Sequence, residues 1–232
     1  MGRWNLTETQ KNHQYLSRTN VLDKGYVELI DVMGSDDTVV SAARVSYLGE
    51  SQGSYKDRKL IRYMMKHHHT SPFEHVIFQW KIKCPLFVRS QWHRHRTWSY
   101  NELSRRYTSD NIDFYVPIKW RSQDTENKQG SLWDFSDVSQ SLRLRRYSLN
   151  ALDYYNKLLE QGVAREMARM VLPQNLYTVF YGTVDLHNLL HFIGLRAEEH
   201  AQWEIRQYAI AIEEIIQTYV PVSKEAWDHF VR

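Results

Sequence analysis

Gln91–Tyr107 reads QWHRHRTWSYNELSRRY, and the chain is organised around it. Five arginines lie between Arg89 and Arg106, and Glu102 is the single carboxylate within Gln91–Tyr107. Trp92, His93, His95, Trp98, Ser99, Asn101 and Ser104 stand among them. A solvated helix face would mix Lys with Glu and keep tryptophan out. Forked guanidinium donors, hydroxyls, an amide and one orienting acid suit a planar, anionic ligand. A plain basic surface patch is the competing reading.

The whole chain narrows the choice. Its 232 residues suit one large domain or two small ones, and the absence of a linker or repeat favours a single domain over 1–232. Hydrophobic residues at 42% allow a real core, and aromatic residues at 13% also suit stacking pockets. Net charge is only +3, so the basic charge is local and fits a small anion better than a nucleic acid. Cys84 is the single cysteine, which excludes an internal disulfide and a cysteine metal cluster and fits a reducing cytoplasm. The N-terminal MGRWNLTETQKNHQ has no apolar signal segment and does not match the myristoylation pattern. No run is long enough to span a membrane.

Gly25–Met33 alternates as a strand, and Asp36 or Asp37 can cap a helix through about Val45 with Val39, Val40 and Ala43 inward. After a Gly/Ser loop, Tyr55–His67 reads as a helix that buries Leu60, Ile61, Met64 and Met65. Pro72 breaks the chain, His75–Lys83 alternates as a strand, and Pro85 starts a helix to about Arg96. Thr97–Asn101 reads as loop, Asp113–Pro117 as a short strand, and Trp120–Ser131 as a mobile polar loop. Asp134–Gln161 is the longest helix, with Leu142, Leu149, Leu152, Tyr155, Leu158 and Leu159 facing the core, and Gly162 ends it. Val163–Leu172 reads as helix, Asn175–Thr183 as strand, Asp185–Arg196 as a capped helix, and Glu199–Tyr219 as a last helix before Pro221. Helices around one small sheet define a mixed α/β (α+β) class.

Several chemistries are excluded. No G-x-G occurs, which removes the dinucleotide and phosphate loops, so arginines must handle any phosphates. His67–His69 with Glu74 and His75 fits neither zinc-protease spacing, and His187 with His191 lacks a completing carboxylate; no metal is expected. Cys84 sits at a strand-to-helix junction that would lower its pKa, yet no histidine pairs with it by motif, and a buried structural thiol is the better reading. Ser99 and Ser104 lie in no nucleophile elbow and read as ligand contacts or caps.

Arg94–Tyr107, RHRTWSYNELSRRY, fits R-H-R-x-x-S-x-N-E-x-S-x-R-Y and closely resembles the signature of flavin-dependent thymidylate synthases. His69–His75, Ala168–Pro173 and Leu195–Glu204 resemble the flanking segments, so the likeness covers roughly residues 25–220. It implies a helix-flanked central sheet, a homotetramer with shared active sites, and conversion of dUMP to dTMP. FAD is then the cofactor, with NADPH and methylenetetrahydrofolate as co-substrates and no enzyme cysteine nucleophile. It also implies dUMP contacts from Gln91, Trp92, Arg94, Glu102, Leu103, Ser104, Arg105, Arg106, Arg169 and Arg196. Arg196 would be the catalytic residue, set against the pyrimidine to stabilise charge on the ring. FAD contacts would come from Ser71, Arg94, His95, Arg96, Glu102, Asp185, His187 and His191. Asp185 and His187 depart from the Asn and Arg that relatives often carry. A carboxylate repels a pyrophosphate, so Asp185 is expected at ribose or adenine, or as a helix cap.

Overall fold

The computed structural model describes residues 16–47, 49, 51–128, 130–135 and 137–232. The N-terminal residues read for a targeting signal lie outside that range. The strands described are β1 (Ser17–Val21), β2 (Gly25–Met33), β3 (Ile77–Pro85), β4 (Ser99–Glu102), β5 (Trp120–Gln123), β6 (Ser131–Phe135) and β7 (Tyr177–Asp185). Five of them form one sheet in the order β1-β2-β3-β7-β4, with every neighbouring pair antiparallel. β3 sits at its centre, and the reason is legible in its residues. Val76, Phe78, Trp80 and Ile82 are wholly buried on one face, while Ile77, Gln79 and Lys81 alternate with them half-buried.

The helices are α1 (Asp36–Arg44), α2 (Ser54–Lys66), α3 (Leu86–Trp92), α4 (Ser139–Glu160), α5 (Arg165–Ala168), α6 (Leu186–Arg196), α7 (Trp203–Ile216) and α8 (Pro221–Phe230). α1, α2, α6, α7 and α8 bury their apolar faces with β2 and β3 in one large core. A smaller core joins Tyr155 on α4 to Phe114, Ala168, Leu172 and Leu176.

The cap of α1 differs from expectation. Ser35 is the N-cap: its Oγ accepts from Asp37 N at 3.2 Å, and Thr38 Oγ1 accepts from Ser35 N at 3.0 Å. Asp36 serves another helix. Its carboxylate accepts from Val222 N at 2.8 Å and Ser223 N at 2.9 Å in the first turn of α8. α8 itself was not expected, because Pro221 was taken to end a helix whereas it opens one at its first position.

Other boundaries moved for tertiary reasons. α3 stops at Trp92 rather than Arg96, and residues expected as loop form β4 along the edge of β7, with Ser99 opposite Thr183 and Glu102 opposite Phe180. Only an isolated bridge, Phe114 to Leu176, stands where Asp113–Pro117 was read as a strand. Trp120–Ser131 is no mobile loop: β5 and β6 pair as a hairpin, so the long helix starts at Ser139 rather than Asp134. Leu142 and Leu149 of α4 are exposed, not core. Val163–Leu172 is two short turns, α5 and a 3-10 segment, rather than one helix. β1 was missed, and α7 is shorter at both ends than the expected helix.

Candidate active site

β4 is the strip that carries the arginine-rich stretch along β7. Antiparallel strands rise about 3.4 Å per residue, so the nine residues of β7 span about 27 Å. One group of expected site residues gathers near Tyr177 and Thr178 at the start of β7, and His187 begins a second on the helix that follows Asp185 at its end.

At the first end is a cavity of about 300 Å³ lined by Arg89, Glu102, Leu103, Ser104, Arg105, Arg169, Tyr177 and Thr178, among others. Thr178 Oγ1 donates to Glu102 Oε1 at 2.8 Å, and Arg89 Nε lies 3.4 Å from the same oxygen. Glu102 therefore orients Arg89 at the wall. Arg169 is exposed and has no hydrogen-bond or ion-pair partner among the described residues. It arrives from the 3-10 turn after α5, far from β4 in sequence. Ser104 Oγ accepts from Arg106 N at 3.3 Å, which folds the loop after β4 into a turn. Arg105 is buried and donates to the carbonyls of Asp110 at 2.5 Å and Asn111 at 3.2 Å, so much of its fork clamps the following loop. Arg106 is exposed and pairs with Glu166 at 3.5 Å. Arg89 and Thr178 carried no sequence assignment. Arg89 lay in the same arginine cluster, but nothing in sequence shows that β7 brings Thr178 to Glu102.

At the far end of α6 from Asp185, Arg196 donates from Nε to His95 Nε2 at 3.0 Å. Burial first, then the Arg196 guanidinium and His191, push His95 down to about 4, so its ring is a neutral acceptor at neutral pH. The His191 ring lies 6.3 Å from the His95 ring. Beside them is a cleft of about 110 Å³ with walls that include Met64, Met65, Phe73 and Leu190, and with His69, His187 and His191 on its lining. Ser71 stands exposed in the 3-10 turn between Thr70 and Phe73, which line the cleft. Arg94 and Arg96 are exposed, with no partner among the described residues. Apolar walls with imidazoles on them fit a planar ring. The cleft alone is too small to enclose a whole dinucleotide. No three His, Cys, Asp or Glu side chains among the described residues are placed as metal ligands.

Asp185 takes the capping role. Its carboxylate accepts from Asn188 N at 2.9 Å and Asn188 Nδ2 at 2.7 Å at the start of α6. Asp185→Ala is therefore expected to lower stability by about 1 kcal/mol, and Asp185→Asn by almost nothing, since Asn caps as well as Asp. Urea unfolding of both variants checks this, and an equal loss in both would reject the cap.

Two expectations are corrected: the nucleotide contact of the Trp92 side chain and the lowered pKa of Cys84. Trp92 is wholly buried and stacks on Phe192 at 4.7 Å, so its side chain is core rather than nucleotide contact. Cys84 is buried, as the structural-thiol reading expected, and burial pushes its thiol up well above the ordinary value rather than down, as a helix start would. Gln91 does not line the arginine cavity within a single chain; it donates to Gln202, just ahead of α7.

The thymidylate synthase complementing protein family matches residues 28–222, most of the chain. A flavin-dependent thymidylate synthase of Thermus thermophilus is 52% identical over 208 residues, covering 90% of this chain and 77% of that one. One from Thermotoga neapolitana is 47% identical, covering 89% of this chain and 92% of its own. A crystal structure of a UMP/dUMP methylase, PolB, from Streptomyces cacaoi bound with 5-Br dUMP superposes with a TM-score of 0.83 at 35% identity, covering 91% of this chain and 98% of that one. The chain belongs to the flavin-dependent thymidylate synthase family.

Proposed function

We propose that this protein is a single-domain, cytoplasmic flavin-dependent thymidylate synthase that methylates dUMP to dTMP. The observation that carries the reading is the convergence of Glu102–Arg105 and Arg169, from two distant parts of the sequence, on one cavity with a guanidinium-rich wall. A dUMP phosphate carries close to two negative charges, and unpartnered forked donors such as Arg169 suit it. The names of the relatives supply the chemistry, and the cleft at His191 with Arg94 and Arg96 fits the flavin. Bound FAD would supply the reducing equivalents drawn from NADPH, with methylenetetrahydrofolate as the one-carbon donor. This chain's residues then bind, orient and polarise. Arg196 stabilises the charge that builds on the pyrimidine, and neutral His95 holds its guanidinium in place.

The arginine cavity and the histidine-lined cleft share no lining residue, and an active site completed between subunits of a homotetramer accounts for both. Exposed Leu103, Tyr107 and Met170 near the arginine cavity offer apolar surface for such contact. Buried Cys84 is no nucleophile in this reading.

Purified protein is expected to be yellow, to release FAD, to bleach with NADPH, and to form dTMP from dUMP and methylenetetrahydrofolate. Colourless protein that cannot be reconstituted with FAD would sink the proposal. Arg169→Ala is expected to raise the Kd for dUMP by about tenfold or more, the worth of a hydrogen bond to a charged group, with flavin content unchanged. Titration calorimetry with dUMP reads it, and loss of both ligands together would contradict a substrate-specific role.

A further inference from the structure

Gln91 is linked to the β5–β6 hairpin through a directional chain of side chains. Glu204 lies in the first turn of α7 and is 4% exposed. Arg121 of β5 grips it with one nitrogen, at 2.9 Å from Oε1 and 2.8 Å from Oε2. That guanidinium lies over the rings of Trp133 and Trp203 at 4.9 and 5.7 Å, so the ion pair is packed rather than solvated. Tyr115 OH donates to Glu204 Oε1 at 3.4 Å. On the other side, Gln202 Nε2 donates to Glu204 Oε2 at 3.0 Å, and Gln202 Oε1 accepts from Gln91 Nε2.

The direction of this chain follows from the carboxylate. An ionised carboxylate only accepts, so Gln202 must turn its NH2 toward Glu204 and its oxygen toward Gln91. Gln91 must then turn its own NH2 inward. Amide orientation is normally the uncertain part of such a network, but here the acceptor-only end fixes it. Gln91 Oε1 has no partner among the described residues and is not wholly buried, so it is the group left to face a ligand.

We propose that Glu204, held by Arg121, is a positioning residue that fixes the polarity of the Gln91 carboxamide, so that Gln91 presents a carbonyl oxygen to an N–H or O–H donor of the bound nucleotide. The proposal rests on the functional reading and on the dUMP contact that the family resemblance implies for Gln91, which an active site completed between subunits would allow. The hairpin that sequence left as a loop thereby acts on the site without touching the ligand.

A fixed amide polarity gives an unusual ordering of variants. In Glu204→Gln, Arg121 and Tyr115 hold the amide oxygen at the place of Oε1, Arg121 gives up its contact at the place of Oε2, and the new NH2 there points at Gln202. Gln202 then reverses, and Gln91 reverses after it, so a donor meets a donor at the nucleotide. Gln202→Leu merely cuts the chain and leaves Gln91 free to choose. The near-isosteric Glu204→Gln is therefore expected to weaken dUMP binding by about tenfold or more, and Gln202→Leu by only about two- to threefold. Adding Glu204→Gln to Gln91→Leu should cost nothing beyond Gln91→Leu alone, because the effect travels through Gln91.

The test is calorimetric titration of dUMP into FAD-loaded enzyme for wild type and these four variants, with flavin content and thermal midpoint measured alongside. The stated ordering, the non-additivity and unchanged flavin content support the proposal. An unchanged Kd in Glu204→Gln, additive losses, or dUMP affinity and flavin lost in step would each overturn it. If Glu204→Gln does not fold, Gln202→Leu against the Gln202→Leu/Gln91→Leu double variant gives the same non-additivity test. Wild-type holoenzyme that binds no dUMP would overturn the functional reading and this proposal with it, whereas tight wild-type binding with the wrong ordering overturns the proposal alone.

Discussion

Arg196→Ala is expected to lower the rate of dTMP formation by about 10²–10³-fold while flavin content stays at the wild-type level. The size follows from what a preorganised donor contributes where charge builds in a transition state. Arg196 is half-buried, and its Nε is committed to His95 Nε2 at 3.0 Å, which leaves the terminal nitrogens of the fork for a ligand. The acceptor persists because His95 is neutral far below its ordinary value of 6.5, down to about 4. The same shift has a stability consequence. Unfolded chain takes up a proton at this histidine near 6.5 and the folded chain only near 4, so the folded state is favoured fully above 6.5 and loses that advantage as pH falls through 4. An NMR titration of His95 in the native protein should therefore show no protonation between neutral pH and about 5. Single-turnover measurement of dTMP with pre-reduced flavin separates the chemical effect from flavin reduction. An Arg196→Ala enzyme that makes dTMP at near wild-type rate would reject the assignment.

The parts of this architecture that were legible in sequence are those fixed by local chemistry. The alternation of Val76, Phe78, Trp80 and Ile82 marks a strand with one buried face without any knowledge of its neighbours, though its central place in the sheet is set by those neighbours. Asp185 ahead of an apolar helix gives a cap, and the structure keeps it there. Edges and hairpins were not legible, because they depend on partners. Ser99–Glu102 has no helical period and looks like loop alone; it is a strand because β7 offers an open edge. Trp120–Ser131 is polar along its length, but Arg121 is drawn to a buried carboxylate 83 residues away, and no local pattern records that. Leu142 and Leu149 follow a helical period on α4 yet face solvent in a single chain. An apolar stripe states that something covers it, not that the cover lies in the same chain. The site divides in the same way. Glu102, Leu103, Ser104, Arg105 and Arg169 do meet at one cavity, whereas Gln91, Arg196 and His95 belong to surroundings set by α6 and α7.

Trp92→Ala is expected to cost about 3–5 kcal/mol, a large share of the roughly 5–15 kcal/mol that holds a typical domain together. The indole is wholly buried at the end of α3, stacked on Phe192 at 4.7 Å and met edge-on by Phe180 at 5.4 Å, Trp98 at 5.8 Å and Tyr208 at 5.9 Å. These rings come from β7, α6, α7 and the turn before β4, so one side chain ties together four parts of the fold. Guanidinium-induced unfolding should show the loss as a fall in midpoint. Because such a variant would lose dUMP binding simply by unfolding, it does not separate a core role from a ligand contact. Trp92→Phe does. Phenylalanine keeps the stacking on Phe192 and removes Nε1, which is buried with no hydrogen-bond partner, so part of the lost volume is offset by relief of an unsatisfied donor. The core reading therefore expects Trp92→Phe to be less stable than wild type by less than the alanine variant, with unchanged Kd for dUMP in the folded protein. A ligand contact would give the reverse, wild-type stability with weakened dUMP binding, and calorimetric titration at a temperature well below the midpoint distinguishes the two.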